Sequence, residues 1–189
     1  MIKLLLVSLV LTLVSSRRQD RKVDLPEENR GNIEYVVGVV RNFWQGFEQQ
    51  VFKKDQAKLD TRCFDQGSQE EMAQIYWAFY TMQPLDFYDA VIAVVNLFYD
   101  TVVDCNYEGA ITVFINHCKN RPEMCEGSKI KENLEENVFT FIEICTDMAD
   151  VFENQEITEL QEMETIVLQI GKDLAIFIEA VLGIPTHSW

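Results

Sequence analysis

From residue 33 to residue 181 the chain repeats one pattern, in which apolar residues recur every three or four positions. That spacing places them on one side of an α-helix, whereas the two-residue alternation of a β-strand never continues for more than four residues. The pattern therefore predicts an all-α fold, an antiparallel bundle of about five to six helices. The predicted helices cover roughly residues 33–51, 68–82, 86–105, 111–118, 130–152 and 157–181.

The third predicted helix, residues 86–105, is apolar nearly all round. Its polar residues follow one narrow stripe, which consists of Asp86, Asp89, Asn96, Asp100 and Asp104. A helix with so little polar surface is typical of the interior of a bundle, so we expect it to be central and mostly buried. The helix before it begins with Ser68 and has Glu71 three residues later, which is the pattern of a capping box.

The N-terminal residues have the pattern of a secretory signal peptide, with Lys3, an apolar run from Leu4 to Val14, and small residues up to Ser16. The run would form a helix of about 17 Å, too short to cross a hydrocarbon layer of about 30 Å. We therefore predict a signal peptide at residues 1–16, a secreted or secretory-pathway protein, and no membrane span after cleavage. The segments that follow are a charged disordered leader at 17–31, a single helical domain at 32–185 and a short tail at 186–189.

The five cysteines predict a braced fold, since the secretory route is oxidising. Cys145 lies on the apolar face of its predicted helix, so we expect a free, buried thiol there. The other four allow three pairings. A Cys105–Cys118 bond would have to span the fourth helix, which excludes one of the three. Of the two that remain, we prefer Cys118–Cys125 with Cys63–Cys105, because Cys118 and Cys125 are close in sequence and a proline lies between them.

The Cys118–Cys125 spacing is wider than a zinc site requires, and it lacks the C-x-x-C pattern of a redox centre. The only histidine nearby is His117, and one histidine does not make a metal site. No sequence motif of a hydrolase, a metalloprotease or a nucleotide-binding loop occurs. The sequence therefore predicts a protein that is not an enzyme and that has no cofactor, no resident metal and no catalytic residue.

Charge is unevenly distributed along a chain whose formal net charge is −15. Between Cys63 and Cys118 there are eight acidic residues and no lysine or arginine. Such an acidic chain is repelled by nucleic acids and anionic membranes, so we expect neither as a partner. Basic residues gather around the Cys118–Cys125 pair, and we take four of them as a candidate partner surface: Lys119, Arg121, Lys129 and Lys131.

Taken together, these features predict a secreted, non-enzymatic helical protein that works by binding a partner protein. One alternative is a carrier of a small apolar ligand, because twelve phenylalanines, six tyrosines and three tryptophans can leave a cavity between helices. The other alternative is a low-affinity calcium-binding protein of the secretory pathway, because the aspartate stripe of the third helix offers oxygen ligands. The sequence does not decide the identity of the partner or the oligomeric state.

Overall fold

The computed structural model describes residues 25–54, 59–153 and 160–185, and 84% of these residues are helical. These ranges contain seven α-helices and no β-strand, which confirms the predicted all-α bundle. Among the described residues, no helix combines the length and the hydropathy that a membrane span requires. The helices are α1 (Glu27–Val51), α2 (Gln66–Thr81), α3 (Pro84–Asp104), α4 (Tyr107–Asn120), α5 (Gly127–Glu136), α6 (Val138–Glu153) and α7 (Leu160–Val181), with a short 3-10 helix, Pro122–Cys125, between α4 and α5.

The centre of the fold is the pair formed by α1 and α7, which make the most extensive helix–helix contact in the described ranges. Their backbones meet at two glycines. A Cβ atom at Gly46 would overlap the carbonyl oxygen of Leu168, and a Cβ atom at Gly171 would overlap that of Phe43. Only a residue without a side chain permits such a close approach, so these two positions set the distance between the helices.

The core lies on both sides of this helix pair. On one side, Trp44 and Phe47 of α1 pack with α4 and with a disulfide. The Trp44 ring stacks on Tyr107 with 3.8 Å between ring centroids, and its Nε1 donates a hydrogen bond of 2.7 Å to the carbonyl oxygen of Cys105. On the other side, α1, α6 and α7 enclose Val39, Ile144, Val151, Met163, Val167, Ile170 and Phe177.

Both disulfides that the cysteine spacing favoured are present in the structure. Cys63–Cys105 joins the segment before α2 to the residue after α3, across 42 positions of sequence. Cys118–Cys125 joins α4 to the 3-10 helix across seven positions. A cross-link over the longer loop removes more freedom from the unfolded chain, so the first disulfide should stabilise the fold more than the second.

Cys145 is free, but the predicted burial of its thiol is wrong, because the residue is exposed on α6. The apolar residues of this helix cover more than the side that faces α1 and α7. Ile144 is buried in the core, whereas Phe139 and Ile142 are 80% and 53% exposed. Helical spacing alone did not show which of its apolar sides faces the bundle.

The predicted boundary between leader and domain is also wrong. Helix α1 begins at Glu27, inside the segment 17–31 that was expected to be disordered. Leu25 is buried there with Ile33 and Val37 against α2, so the end of the leader belongs to the core. The predicted signal peptide, residues 17–24 and the tail at 186–189 lie outside the described residues.

The N-cap of α2 differs from the predicted one. Asp65 caps the helix, because its side chain accepts hydrogen bonds from the backbone N–H groups of Gly67 (2.8 Å) and Ser68 (3.3 Å). The helix therefore begins at Gln66, and Ser68 is buried within its first turn. A carboxylate at the start of a helix satisfies the same free amide groups that the predicted serine cap would have satisfied.

Candidate binding surfaces

The helices α2 and α3 form a hairpin that lies at the edge of the bundle, and α3 contacts α2 far more than any other helix. The prediction of a central, buried α3 is therefore wrong. The hairpin turns at Met82, whose backbone is left-handed, and Pro84 begins α3. Within the turn, the Thr81 hydroxyl donates a hydrogen bond of 2.6 Å to Asp86.

The base of the hairpin packs on the bundle, and a disulfide and ion pairs join its two ends. Met72, Ala73 and Trp77 of α2 pack on the apolar residues at the start of α1. The Cys63–Cys105 disulfide closes the two ends of the hairpin. Beside it, Arg62 makes ion pairs with Asp60 (3.0 Å) and Asp104 (3.2 Å). The hydrogen bonds from Arg62 lower the pKa of Asp60 to about 2, although such an exposed pair adds little stability.

The buried residues of α2 and α3 are small. Ala78 of α2 and Ala90 and Ala93 of α3 are almost completely buried. The same side of α3 carries Asp86 and Asp89, which are half-buried. These two aspartates of the polar stripe thus lie on the side of α3 that carries its buried alanines rather than toward open solvent.

The opposite side of α3 is apolar and exposed, and we call it the outer face of α3. Successive residues of an α-helix are about 100° apart, and on this count the residues of the outer face fall on one half of α3, away from the aspartates. Their exposed fractions run from 50% to 76%. At about 150–200 Å² per residue, the exposed area is about 850 Å². The face consists of Leu85, Tyr88, Val91, Val94, Val95, Phe98, Tyr99 and Val103.

An apolar surface of this size is unusual on a monomer. The largest apolar patch of a typical soluble monomer is about 300–600 Å², and larger patches mark interaction sites. Helix α2 adds Phe79 and Tyr80, which are 62% and 64% exposed, near the tip of the hairpin. The sequence predicted a helix that is apolar nearly all round and placed it in the core, because periodicity does not show what covers a helix face.

The predicted basic surface is less cationic than its sequence suggested. Lys119 and Arg121 are exposed at the end of α4. On α5, Lys129 pairs with Glu132 at 2.8 Å, and Lys131 pairs with Glu135 at 3.7 Å. Neighbouring carboxylates therefore compensate two of the four predicted cations, and the use of this surface by a partner stays a prediction.

Two buried carboxylates lie on the helix pair at the centre of the fold. Glu179 of α7 is 2% exposed and accepts hydrogen bonds from Lys53 (2.7 Å) and Gln50 (3.0 Å). Glu48 of α1 is 9% exposed, and its Oε1 has no hydrogen-bond partner among the described residues. Burial raises the pKa of Glu48, and a hydrogen bond with Asn106 opposes part of that rise. These groups are held by helix packing and stand apart from the outer face of α3.

Within the described ranges, no group of three or more histidine, cysteine, aspartate or glutamate residues is arranged to hold a metal ion. The calcium alternative thus stays a prediction without a structural site. Comparison of the chain with models of protein families, with curated proteins and with solved structures finds no significant match.

Proposed function

We propose that this chain is a non-enzymatic helical binding protein that acts through the outer face of α3, and that a second copy of the chain is the partner that this face binds. The observation that carries the proposal is the exposure of eight large apolar residues on one half of one helix. A partner that covers this face would stabilise the complex by about 25 cal/mol for each Å² of apolar surface removed from water.

The size and charge of the face fit a second copy. A stable protein–protein interface buries about 800 Å² on each partner, and the outer face of α3 offers about that area. The residues of the outer face are uncharged, and the aspartates of α3 lie on the other half of the helix. Two copies related by a two-fold axis can therefore pack these faces together without bringing carboxylates into direct opposition.

The oligomeric state of the purified protein tests this function. Light scattering coupled to size-exclusion chromatography, from about 1 to 100 μM, should show a mass that rises from one chain to two. The range covers the affinities of weak and moderate complexes. A mass of one chain at every concentration would contradict the second copy as the occupant of the face.

We also propose that the protein is secreted. The support is the signal-peptide pattern of residues 1–16 together with two disulfides, which form and persist in oxidising compartments. Expression of the full chain in cultured eukaryotic cells should deliver a protein to the medium whose first residue is Arg17. Retention inside the cell with Met1 intact would contradict the proposal.

A further inference from the structure

A groove of about 680 Å³ opens where the end of α1, the second half of α4 and the residues after α7 meet. Small-molecule sites usually have volumes of about 300–1,000 Å³, so the groove has the size of a ligand site. Its residues belong to none of the segments that form the α2–α3 hairpin. Whatever binds here is therefore independent of the partner proposed for the outer face of α3.

One part of the groove is apolar and another is polar. The apolar part consists of Val51, Phe52, Val113, Ile184 and Pro185. The polar part includes three residues from the end of α4 and the residue that follows it: Asn116, His117, Asn120 and Arg121. His117 lies in the last turn of α4, and Arg121 is the residue that ends the helix, so both lie at this end of the groove. The groove thus has separate places for the apolar body and the polar head group of a ligand.

The charge of the groove selects the sign of the head group. Lys53 lines the groove, but the carboxylate of Glu179 already neutralises it at 2.7 Å. Arg121 is exposed and has no ion-pair partner among the described residues. On a chain with a formal net charge of −15, this leaves one uncompensated cation beside an apolar groove. A guanidinium binds a carboxylate through two parallel hydrogen bonds, which favours that head group.

His117 adds a second polar feature to the same end of the groove. The residue is 7% exposed, and its Nε2 has no hydrogen-bond partner among the described residues. Buried polar atoms are normally hydrogen-bonded, and an unpartnered one is costly. Because this atom is closed to solvent, the exposed Arg121 rather than His117 is the group that a head group in the open groove can contact.

We infer that the groove binds a small amphiphile with a single carboxylate, whose head group pairs with Arg121 and whose hydrocarbon body lies against Phe52 and Val113. The groove therefore gives a defined ligand class to the alternative of a carrier of a small apolar ligand, namely a monocarboxylate of the fatty-acid type. It does not rest on the function proposed for the outer face of α3.

Isothermal titration of the full chain with dodecanoate, below the concentration at which the ligand forms micelles, tests the inference. We expect one molecule bound per chain, with binding weakened at least tenfold by Arg121→Gln and weakened less by Arg121→Lys, which keeps the charge but loses the two parallel hydrogen bonds. Lys131→Gln is the matched control, because Lys131 is a cation that does not line the groove. Dodecanol, which has the same chain and no charge, should bind at least tenfold more weakly than dodecanoate.

Three results would overturn the inference. The first is the absence of dodecanoate binding. The second is equal binding by the wild-type protein and by Arg121→Gln, both checked for native circular dichroism. The third is a loss of binding in Phe98→Asp with no loss in Arg121→Gln, because the amphiphile would then occupy the outer face of α3. Each result leaves the self-association test unaffected, so the two proposals fail separately.

Discussion

A single charge placed on the outer face of α3 tests whether that face holds a second copy, and Phe98→Asp is the sharpest such change. Phe98 is 71% exposed in the single chain. For a residue of about 200 Å², covering it removes about 140 Å² from water, which is about 3.5 kcal/mol at about 25 cal/mol/Å². A two-fold dimer contains this residue twice, so even half coverage makes the change cost about 3 kcal/mol or more.

That free energy corresponds to a rise of about 100-fold or more in the dimer dissociation constant. Sedimentation equilibrium of the wild-type protein and of Phe98→Asp, at the same ionic strength, measures the two constants. Because the side chain is mostly in water in the monomer, the variant monomer should stay folded. Its melting temperature under conditions where both proteins are monomeric should lie close to that of the wild-type protein.

The matched control is Thr112→Asp, which adds the same charge at an exposed position of α4, away from the outer face of α3. Its dissociation constant should change less than threefold. A milder variant, Val95→Asn, should weaken the dimer in the same direction without adding a charge. Equal dissociation constants for the wild-type protein, Phe98→Asp and Val95→Asn would refute the argument, since the loss must follow the apolar area removed.

Three further predictions concern the body of the bundle. Gly171→Ala should lower the free energy of unfolding by about 3 kcal/mol or more in a denaturant titration, because its Cβ would overlap a backbone oxygen that cannot move aside. Gly38→Ala, at a helical glycine with open space around its Cα, should raise the free energy of unfolding by about 0.5–1 kcal/mol. Equal effects of the two substitutions would contradict the close contact of α1 and α7 at Gly171. Glu48→Gln should raise the free energy of unfolding at pH 7 by about 1 kcal/mol. Burial raises the pKa of Glu48, so the wild-type protein loses stability as the pH rises and this carboxyl ionises, whereas a glutamine stays neutral. This gain should disappear at acidic pH, and a gain that is independent of pH would contradict the assignment. Cys145 should react with a maleimide in the native protein at one thiol per chain, whereas no reaction before unfolding would show that it is buried.

The helices were predictable from the sequence because their signal is local. Residues three and four positions apart share a helix face whatever lies around them, so the periodicity from 33 to 181 predicted the all-α fold. The preferred cysteine pairing also depended on local distances along α4 and its flanking turns. The cap of α2 was misassigned because Ser68 and Glu71 have the spacing of a capping box, although Asp65 lies closer to the true start of the helix.

The placement of the helices was not predictable, because it depends on which surfaces meet. Nothing in the periodicity of α1 and α7 indicated that they touch at Gly46 and Gly171. In α3 the pattern showed a narrow polar stripe on a helix that is otherwise apolar, but the structure buries Ala90 and Ala93 and exposes eight of the larger apolar residues. The candidate site was missed for this reason. A face that is apolar enough for a core is also apolar enough for an interface.

The most direct measurement of the central claim is a cross-link at the middle of the outer face of α3. In a Cys145→Ser background the other four cysteines are in disulfides, so Val95→Cys supplies the one thiol that reacts with a short bis-maleimide. If two copies pack these faces around a two-fold axis, residue 95 of one copy lies near residue 95 of the other. We predict a covalent dimer for Val95→Cys and a monomer for Thr112→Cys in the same background, treated in the same way. A monomer at both positions, or an equal yield of dimer at both, would contradict the claim that this face binds a second copy.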